Sequence, residues 1–224
     1  MASESVAILG GTGPEGRGLA LRWARAGVAV VIGSRDATRA ATIAAELAPG
    51  DALPLSGAAN ADAARAADVV VISVPWDGHA ATLTSLTDEL AGKVVIDIVN
   101  PLEFDERGPV TIPVAEGSAA EQAQSLLPRS RVVGAFHHVS AKHLLDESHP
   151  VDTDVLVCGD DRPAKDLAIG LAERIPGVRG LDAGPLRLAR ILEDWTSVLL
   201  SLNRVYRTSA GIRLTDVDPD RRRA

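Results

Sequence analysis

Short apolar runs alternate with helix-like patterns along most of this chain. Val6-Ala7-Ile8-Leu9 is the first run, and Gly10-Gly11-Thr12-Gly13-Pro14-Glu15-Gly16 ends it. From Arg17 to Ala26, Leu19, Leu21, Trp23 and Ala24 fall among Arg17, Arg22 and Arg25, which predicts an amphipathic helix closed by Gly27. Val28 to Ile32 is a second buried strand, ending at Gly33-Ser34-Arg35-Asp36. Residues 6–33 therefore read strand, glycine turn, helix, strand, which is one parallel crossover unit.

The alternation continues with a helix over 37–48, a short third strand at Leu53-Pro54-Leu55 and a helix from Ala58 to Ala67. Val69-Val70-Val71-Ile72 has no polar interruption, as a strand covered on both faces requires. Trp76 to Leu90 reads as helix, Val94-Val95-Ile96 as strand and 118–127 as helix. Val132-Val133 and Val155-Leu156-Val157 are further strands, and a helix over 163–174 follows the second. The fold class this predicts is α/β, a Rossmann-type doubly wound, mostly parallel sheet with helices on both faces.

The end of the chain differs. From Leu188, the apolar residues Ile191, Leu192, Trp195, Val198, Leu199, Leu202, Val205 and Tyr206 form the stripe of one long amphipathic helix. Residues 1–184 are expected to be the dinucleotide-binding domain, and 185–224 a helical appendage and tail that caps the sheet or pairs with a second copy in a homodimer. The tail from Asp216 is mostly charged, and Arg221-Arg222-Arg223 reads as solvated rather than as a targeting patch.

Composition narrows the function. With 224 residues, 46% hydrophobic and 24% charged, the chain has the balance of an ordinary globule. Aromatics are only 3%, so Ala, Val, Leu and Ile must build the core. A net charge of −7 argues against a nucleic-acid groove or an anionic membrane surface. Cys158 is the single cysteine, which excludes an intrachain disulfide and fits a cytoplasmic location. No apolar run approaches the roughly 18 residues needed to span a bilayer.

Gly11-Thr12-Gly13-Pro14-Glu15-Gly16 is G-x-G-x-x-G after a strand and opening a helix, the context in which this motif binds a dinucleotide. Gly11 permits the tight turn, Gly13 lets backbone approach a pyrophosphate, and Gly16 lets helix and strand close together. Backbone N–H groups of Thr12, Gly13 and Glu15 are left to meet the anion, since Pro14 has none. The Glu15 side chain is expected to point away from the phosphates.

An NAD site needs an acid at the end of the second strand, about twenty residues on. Ser34 stands 21 residues after Gly13, with Arg35 next and Arg39 one helical turn later. A hydroxyl and two guanidinium groups suit a 2′-phosphate, hence NADP. The competing reading uses Asp36 as a ribose acceptor, two residues late.

Taken in order, Leu9-Gly10-Gly11-Thr12-Gly13, Ile32-Gly33-Ser34-Arg35, Val74-Pro75-Trp76, Ala135-Phe136-His137, Cys158-Gly159-Asp160-Asp161 and Leu181-Asp182-Ala183-Gly184-Pro185-Leu186 resemble NADPH-dependent reductases of the deazaflavin coenzyme F-420 (F420). The resemblance covers residues 6 to about 214, with departures at Pro14 and along Asp97 to Leu102. It implies transfer of a hydride between NADP(H) and F420. It also implies that Thr12 to Glu15 meet the pyrophosphate, and Ser34, Arg35 and Arg39 the 2′-phosphate. Trp76 and Ala80 would lie by the dinucleotide, Leu102 and Ala141 at the nicotinamide, and His137 facing the deazaflavin. Arg187, Arg190, Arg204, Arg207 and Arg213 are candidates for the anionic F420 tail, against a plainer role as solvated helix faces.

The residues keep other readings open. His137 suits a packing role as well as a catalytic one. His138 and His143 have no cysteine or carboxylate at ligand spacing, so no metal is expected. Cys158 reads as a small core residue, and Ser140 has no triad around it. A reductase of an imine or ketone would need a proton donor, and no Lys, Tyr or acid is evidently placed for one. A catalytically silent NADP sensor is the rival from another class.

Overall fold

The computed structural model describes residues 4–221, so Arg222 and Arg223 of the charged tail lie outside the described residues. In chain order the elements are β1 (Ser5–Leu9), α1 (Pro14–Arg25), β2 (Ala29–Ser34), α2 (Ala37–Leu47), β3 (Leu55–Ala59), α3 (Asn60–Ala66) and β4 (Val69–Ile72). Then come α4 (Trp76–Ser85), α5 (Thr87–Leu90), β5 (Val94–Asp97), the pair β6 (Leu102–Asp105) and β7 (Gly108–Thr111), α6 (Ala119–Leu126) and β8 (Arg131–Gly134). The chain ends with α7 (Ala141–Leu145), β9 (Thr153–Gly159), α8 (Arg162–Glu173), β10 (Val178–Gly184) and α9 (Ala189–Tyr206).

Eight strands form one sheet in the order β10-β9-β8-β5-β4-β1-β2-β3. Every pairing is parallel except β8 with β9. The fold is thus the expected Rossmann-type α/β sheet. Strand order reverses between β1 and β4, where such sheets open a crevice for a dinucleotide. Alternate side chains serve opposite faces: Val6 and Ile8 pack with Leu19 and Trp23 of α1, while Ala7 and Leu9 pack with Ala63 and Ala64 of α3. Trp23 is fully buried, edge-on to Phe136 at 5.6 Å, and its indole N–H donates to Leu171 O at 2.8 Å. None of the described helices is long and apolar enough to cross a membrane.

Several expectations shift. The first helix begins at Pro14, because proline is at home at a helix's first position. The third strand lies at 55–59 rather than 53–55, and α3 begins at 60. The helix expected over 76–90 breaks at Leu86, whose φ of −123° leaves the helical region. The structure adds the hairpin of β6 and β7: Asp105 accepts from the N–H groups of Arg107 and Gly108 and turns the chain. Strand β10 lacks an apolar run, because glycines and charges interrupt it. Gly180 is there for clearance, since a Cβ would come 2.8 Å from Ile169 of α8.

The segment after α9 is strapped to the start of β9. Asp154, fully buried, accepts from Arg179 Nε (2.7 Å) and Nη2 (2.6 Å), Arg213 Nη1 (2.7 Å) and Leu214 N (2.7 Å). Its own N–H donates to Ile212 O at 2.6 Å. Burial pushes the Asp154 carboxyl up, but these donors outweigh it and hold the pKa below the usual value. The strap's contribution is therefore complete above the ordinary carboxylate pKa and is lost as pH falls through the depressed one. Asp154→Asn should cost about 2–4 kcal/mol, discounted because both arginines are about a third exposed, and lower Tm by roughly 4–16 °C. Thermal denaturation at neutral pH checks this, and the gap to wild type should narrow in acid.

Candidate functional site

The glycine turn sits at the sheet's switch point. Gly11 N donates to Ile8 O and Gly33 O, both at 3.1 Å, which ties the turn to two strand ends. A Cβ on Gly16 would stand 2.5 Å from Gly11 Cα, so α1 meets the turn backbone to backbone. Gly13 caps α1 in an extended conformation, Pro14 follows, and Arg17 Nε donates to Thr12 O at 3.0 Å. A cleft of about 1010 Å³ opens here, lined by Thr12, Gly13, Pro14 and Glu15.

At the end of β2 the same cleft meets Ser34, Arg35 and Arg39. Ser34 Oγ accepts from Asp36 N at 3.1 Å, and Asp36 caps α2 by accepting from Arg39 N at 3.1 Å. The competing acid is thus committed to its own helix. Arg35 and Arg39 are exposed, and among the described residues neither guanidinium has a protein partner.

The facing wall comes from the loop after β4 and from α4. Trp76 lines the cleft and stacks on His79, with centroids 5.5 Å apart and planes at 29°. His79 is fully buried, hydrogen-bonded through Nε2 to Asp97 Oδ2 (2.7 Å) and through Nδ1 to Gln122 Oε1 (2.9 Å). Burial lowers its pKa, but the Asp97 charge and the two hydrogen bonds more than offset that and raise it. The imidazole stacked behind the indole, itself anchored by two hydrogen bonds, holds the Trp76 ring in place.

The floor is made by the turn after β8. Phe136 takes a φ of +61°, a region sparsely used by non-glycine residues. That turn presents the His137 carbonyl, which accepts from Asn100 Nδ2 (2.9 Å) and Thr196 Oγ1 (2.8 Å). The His137 imidazole itself is enclosed: neither ring nitrogen has a partner, and Glu193 Oε1 stands 4.0 Å away. Burial, with His138 nearby, pushes its pKa down to about 3, so this contact involves a neutral ring. Glu193 accepts from Ala119 N (3.0 Å) and Ala120 N (3.2 Å), while burial pushes its carboxyl up to about 8. His138 donates to Asp154 O at 2.8 Å, and burial lowers its pKa too.

The remaining wall is α7 with Ser140, Ala141 and Lys142. Helix α1 holds it: Arg22 is buried and donates to Leu144 O (2.8 Å), His143 O (2.9 Å) and His149 O (3.1 Å). Gly18 presses on Leu144 where a Cβ would come within 2.5 Å.

Of the residues singled out in the sequence, Thr12, Gly13, Pro14, Glu15, Ser34, Arg35, Arg39, Trp76, His137 and Ala141 line this cleft. Gly11 sits behind the turn, Ala80 is exposed on α4, and Leu102 opens the β6 hairpin; none of these three lines it. The five candidate tail arginines are also elsewhere: Arg213 binds Asp154, Arg190 faces Asp194 at 3.6 Å, Arg204 donates to Arg107 O, Arg207 ends α9, and Arg187 borders a separate groove. Sequence reasoning missed Asn60, Asn100, Lys142, Thr196 and Asn203, which all line the cleft. Single polar residues scattered over three helices and a loop carry no spacing signal. Cys158 is buried with its pKa pushed up to about 12, an inert core thiol. Among the described residues no cluster of metal-ligating side chains forms.

A family model described as NADP oxidoreductase, coenzyme F420-dependent, matches residues 5–101. The F420-dependent NADP reductase of Methanothermobacter thermautotrophicus is 46% identical over 220 residues, covering 95% of each chain. That of Methanocaldococcus jannaschii is 42% identical over 222 residues, covering 95% of this chain and 99% of its own. The crystal structure of a candidate F420-dependent NADP reductase from an Arthrobacter species matches with a TM-score of 0.80 at 31% identity, covering 95% of this chain and 99% of that one.

Proposed function

Because the chain belongs to the family of F420-dependent NADP reductases, we propose that it is an oxidoreductase that equilibrates NADP(H) with F420 in the cleft at the β1–β4 switch point. The observation that carries this reading is the pair of unpaired guanidinium groups, Arg35 and Arg39, beside Ser34 where an NAD site would hold an acid. They fit a dianionic 2′-phosphate, which arginine binds in a two-pronged way.

When both partners are bound, the nicotinamide and the deazaflavin supply the hydride chemistry between two ring carbons. The protein's share is binding, orientation and exclusion of water. The glycine turn and α1 receive the pyrophosphate. Trp76, fixed by His79, bounds one side of the cleft, and Ala141, held by Arg22 through α7, bounds the other. Thr196 and Asn100 keep the floor rigid through the His137 carbonyl. His137 serves this reaction as a positioning residue through its backbone, and its neutral enclosed ring leaves the floor uncharged.

The C-terminal segment, 185–224, is the part we assign to a homodimer. Ile191, Trp195, Val198, Leu202 and Val205 of α9 are exposed large apolar residues, with Phe104 and Val110 of the adjoining hairpin. An apolar surface of that composition supports contact with a second copy. The single buried cysteine fits a reducing compartment such as the cytoplasm.

Mixing the protein with NADPH and oxidised F420 should bleach the deazaflavin absorbance, while flavin, imine and simple carbonyl acceptors stay unreduced. Protein that binds NADPH yet leaves F420 coloured would refute the reading. Arg35→Ala should weaken NADPH binding about 10–100-fold, the worth of one charged hydrogen bond, and leave NADH nearly untouched. Equal losses for both dinucleotides would count against the 2′-phosphate assignment. Light scattering should give twice the chain mass of 23.3 kDa, and Trp195→Lys with Val198→Asp should return a monomer.

A further inference from the structure

Glu15 is the second residue of α1, directly after the proline that follows the glycine turn. Residues three and seven positions on, Gly18 and Arg22, share its helix face. That is the face pressed against Leu144 and the carbonyls of the 143–149 loop. Glu15 therefore stands half-buried at the cleft end of the seam between α1 and α7, among the residues that line the cleft. Its Oε1 is sealed from solvent and meets no donor. An ionised carboxylate with a sealed, unmatched oxygen is unfavourable, and the neutral acid relieves the penalty.

The charged surroundings do not supply a counterion. On α1 itself, Arg17 is held by Thr12 O and faces Glu46 at 3.7 Å, Arg22 donates through Nε and Nη2 to carbonyls of the 143–149 loop, and Arg25 pairs with Glu147. Helix α7 brings Lys142 and His143, α2 brings Arg39 and Glu46, and the turn after β2 brings Arg35. β1 and β3 carry no titratable side chain, and Asp77, His137 and His138 lie elsewhere on the cleft lining. Burial alone acts on Glu15 and pushes its pKa up to about 8.

We propose that Glu15 is a proton-linked binding residue for the dinucleotide: NADP(H) binds the form in which this carboxyl carries a proton, with its O–H available as a donor to the anionic ligand. The inference rests on the reading of this cleft as the NADP site. A bound pyrophosphate brings negative charge beside the first turn of α1, and a like charge there raises a carboxyl's proton affinity further. Binding then draws one proton from solvent onto Glu15, and no other bond changes. By linkage, affinity must fall as pH rises past the point where the free protein loses that proton.

The test is calorimetric titration of NADP+ at about pH 8.5 in two buffers of different ionisation enthalpy, which counts protons directly. There a 2′-phosphate, with a pKa near 6, is already dianionic and does not contribute. Uptake of about half a proton or more per site is expected, with Kd rising roughly tenfold between pH 7 and pH 9. Glu15→Gln should abolish both the uptake and the pH dependence, and Glu15→Leu is the second variant should the first fold poorly. Binding without proton uptake, or uptake undiminished in either variant, overturns the proposal and leaves the NADP reading standing. No NADP+ binding at any pH overturns both.

Discussion

The backbone of α1 meets the backbone of the turn before it at Gly11 and Gly16, where the smallest side chain would bring a Cβ within 2.5 Å of a Cα. That contact fixes where α1 begins and how it is rotated on the sheet. The rotation puts Trp23 into the core, where it meets Phe136 and Leu171, and turns Gly18 and Arg22 toward α7. One wall of the cleft is thus set by a helix whose own placement depends on two residues without side chains.

Charge is distributed unevenly around this cleft. At the β2 end, two exposed guanidinium groups wait for an anion, their local acid being occupied as a helix cap. Toward the floor, burial drives His137 and Glu193 to their neutral forms. The buried hydrogen-bonded pair of His79 and Asp97 lies behind Trp76 and outside the lining. A cationic rim and an uncharged floor suit a ligand with phosphates at one end and a planar ring at the other.

What could be read from the chain was what depends on local pattern. The strand–turn–helix–strand unit, the Ser34–Arg35–Arg39 set and the long stripe of α9 rest on near neighbours, and each keeps its place in the fold. What could not be read depends on distant partners. Thr196 and Asn100 meet at the carbonyl of His137 only because α9 folds back over the loop after β5. The enclosure of the His137 ring follows from the left-handed turn at Phe136, which no propensity of phenylalanine suggests. Leu102 lies in the stretch where this chain departs from the family pattern, and it opens a hairpin there.

The grip of Arg22 on carbonyls of residues 143 to 149 reaches across more than half of the chain. During synthesis the first βαβ unit emerges long before those acceptors exist, so its guanidinium stays in water and the groove beside it has one side missing. The binding crevice is therefore among the last parts to assemble, after the sheet's middle strands are laid down. A nascent chain would present the phosphate-receiving turn early but clasp a whole cosubstrate only near completion, so saturating NADP should slow unfolding more than it speeds folding.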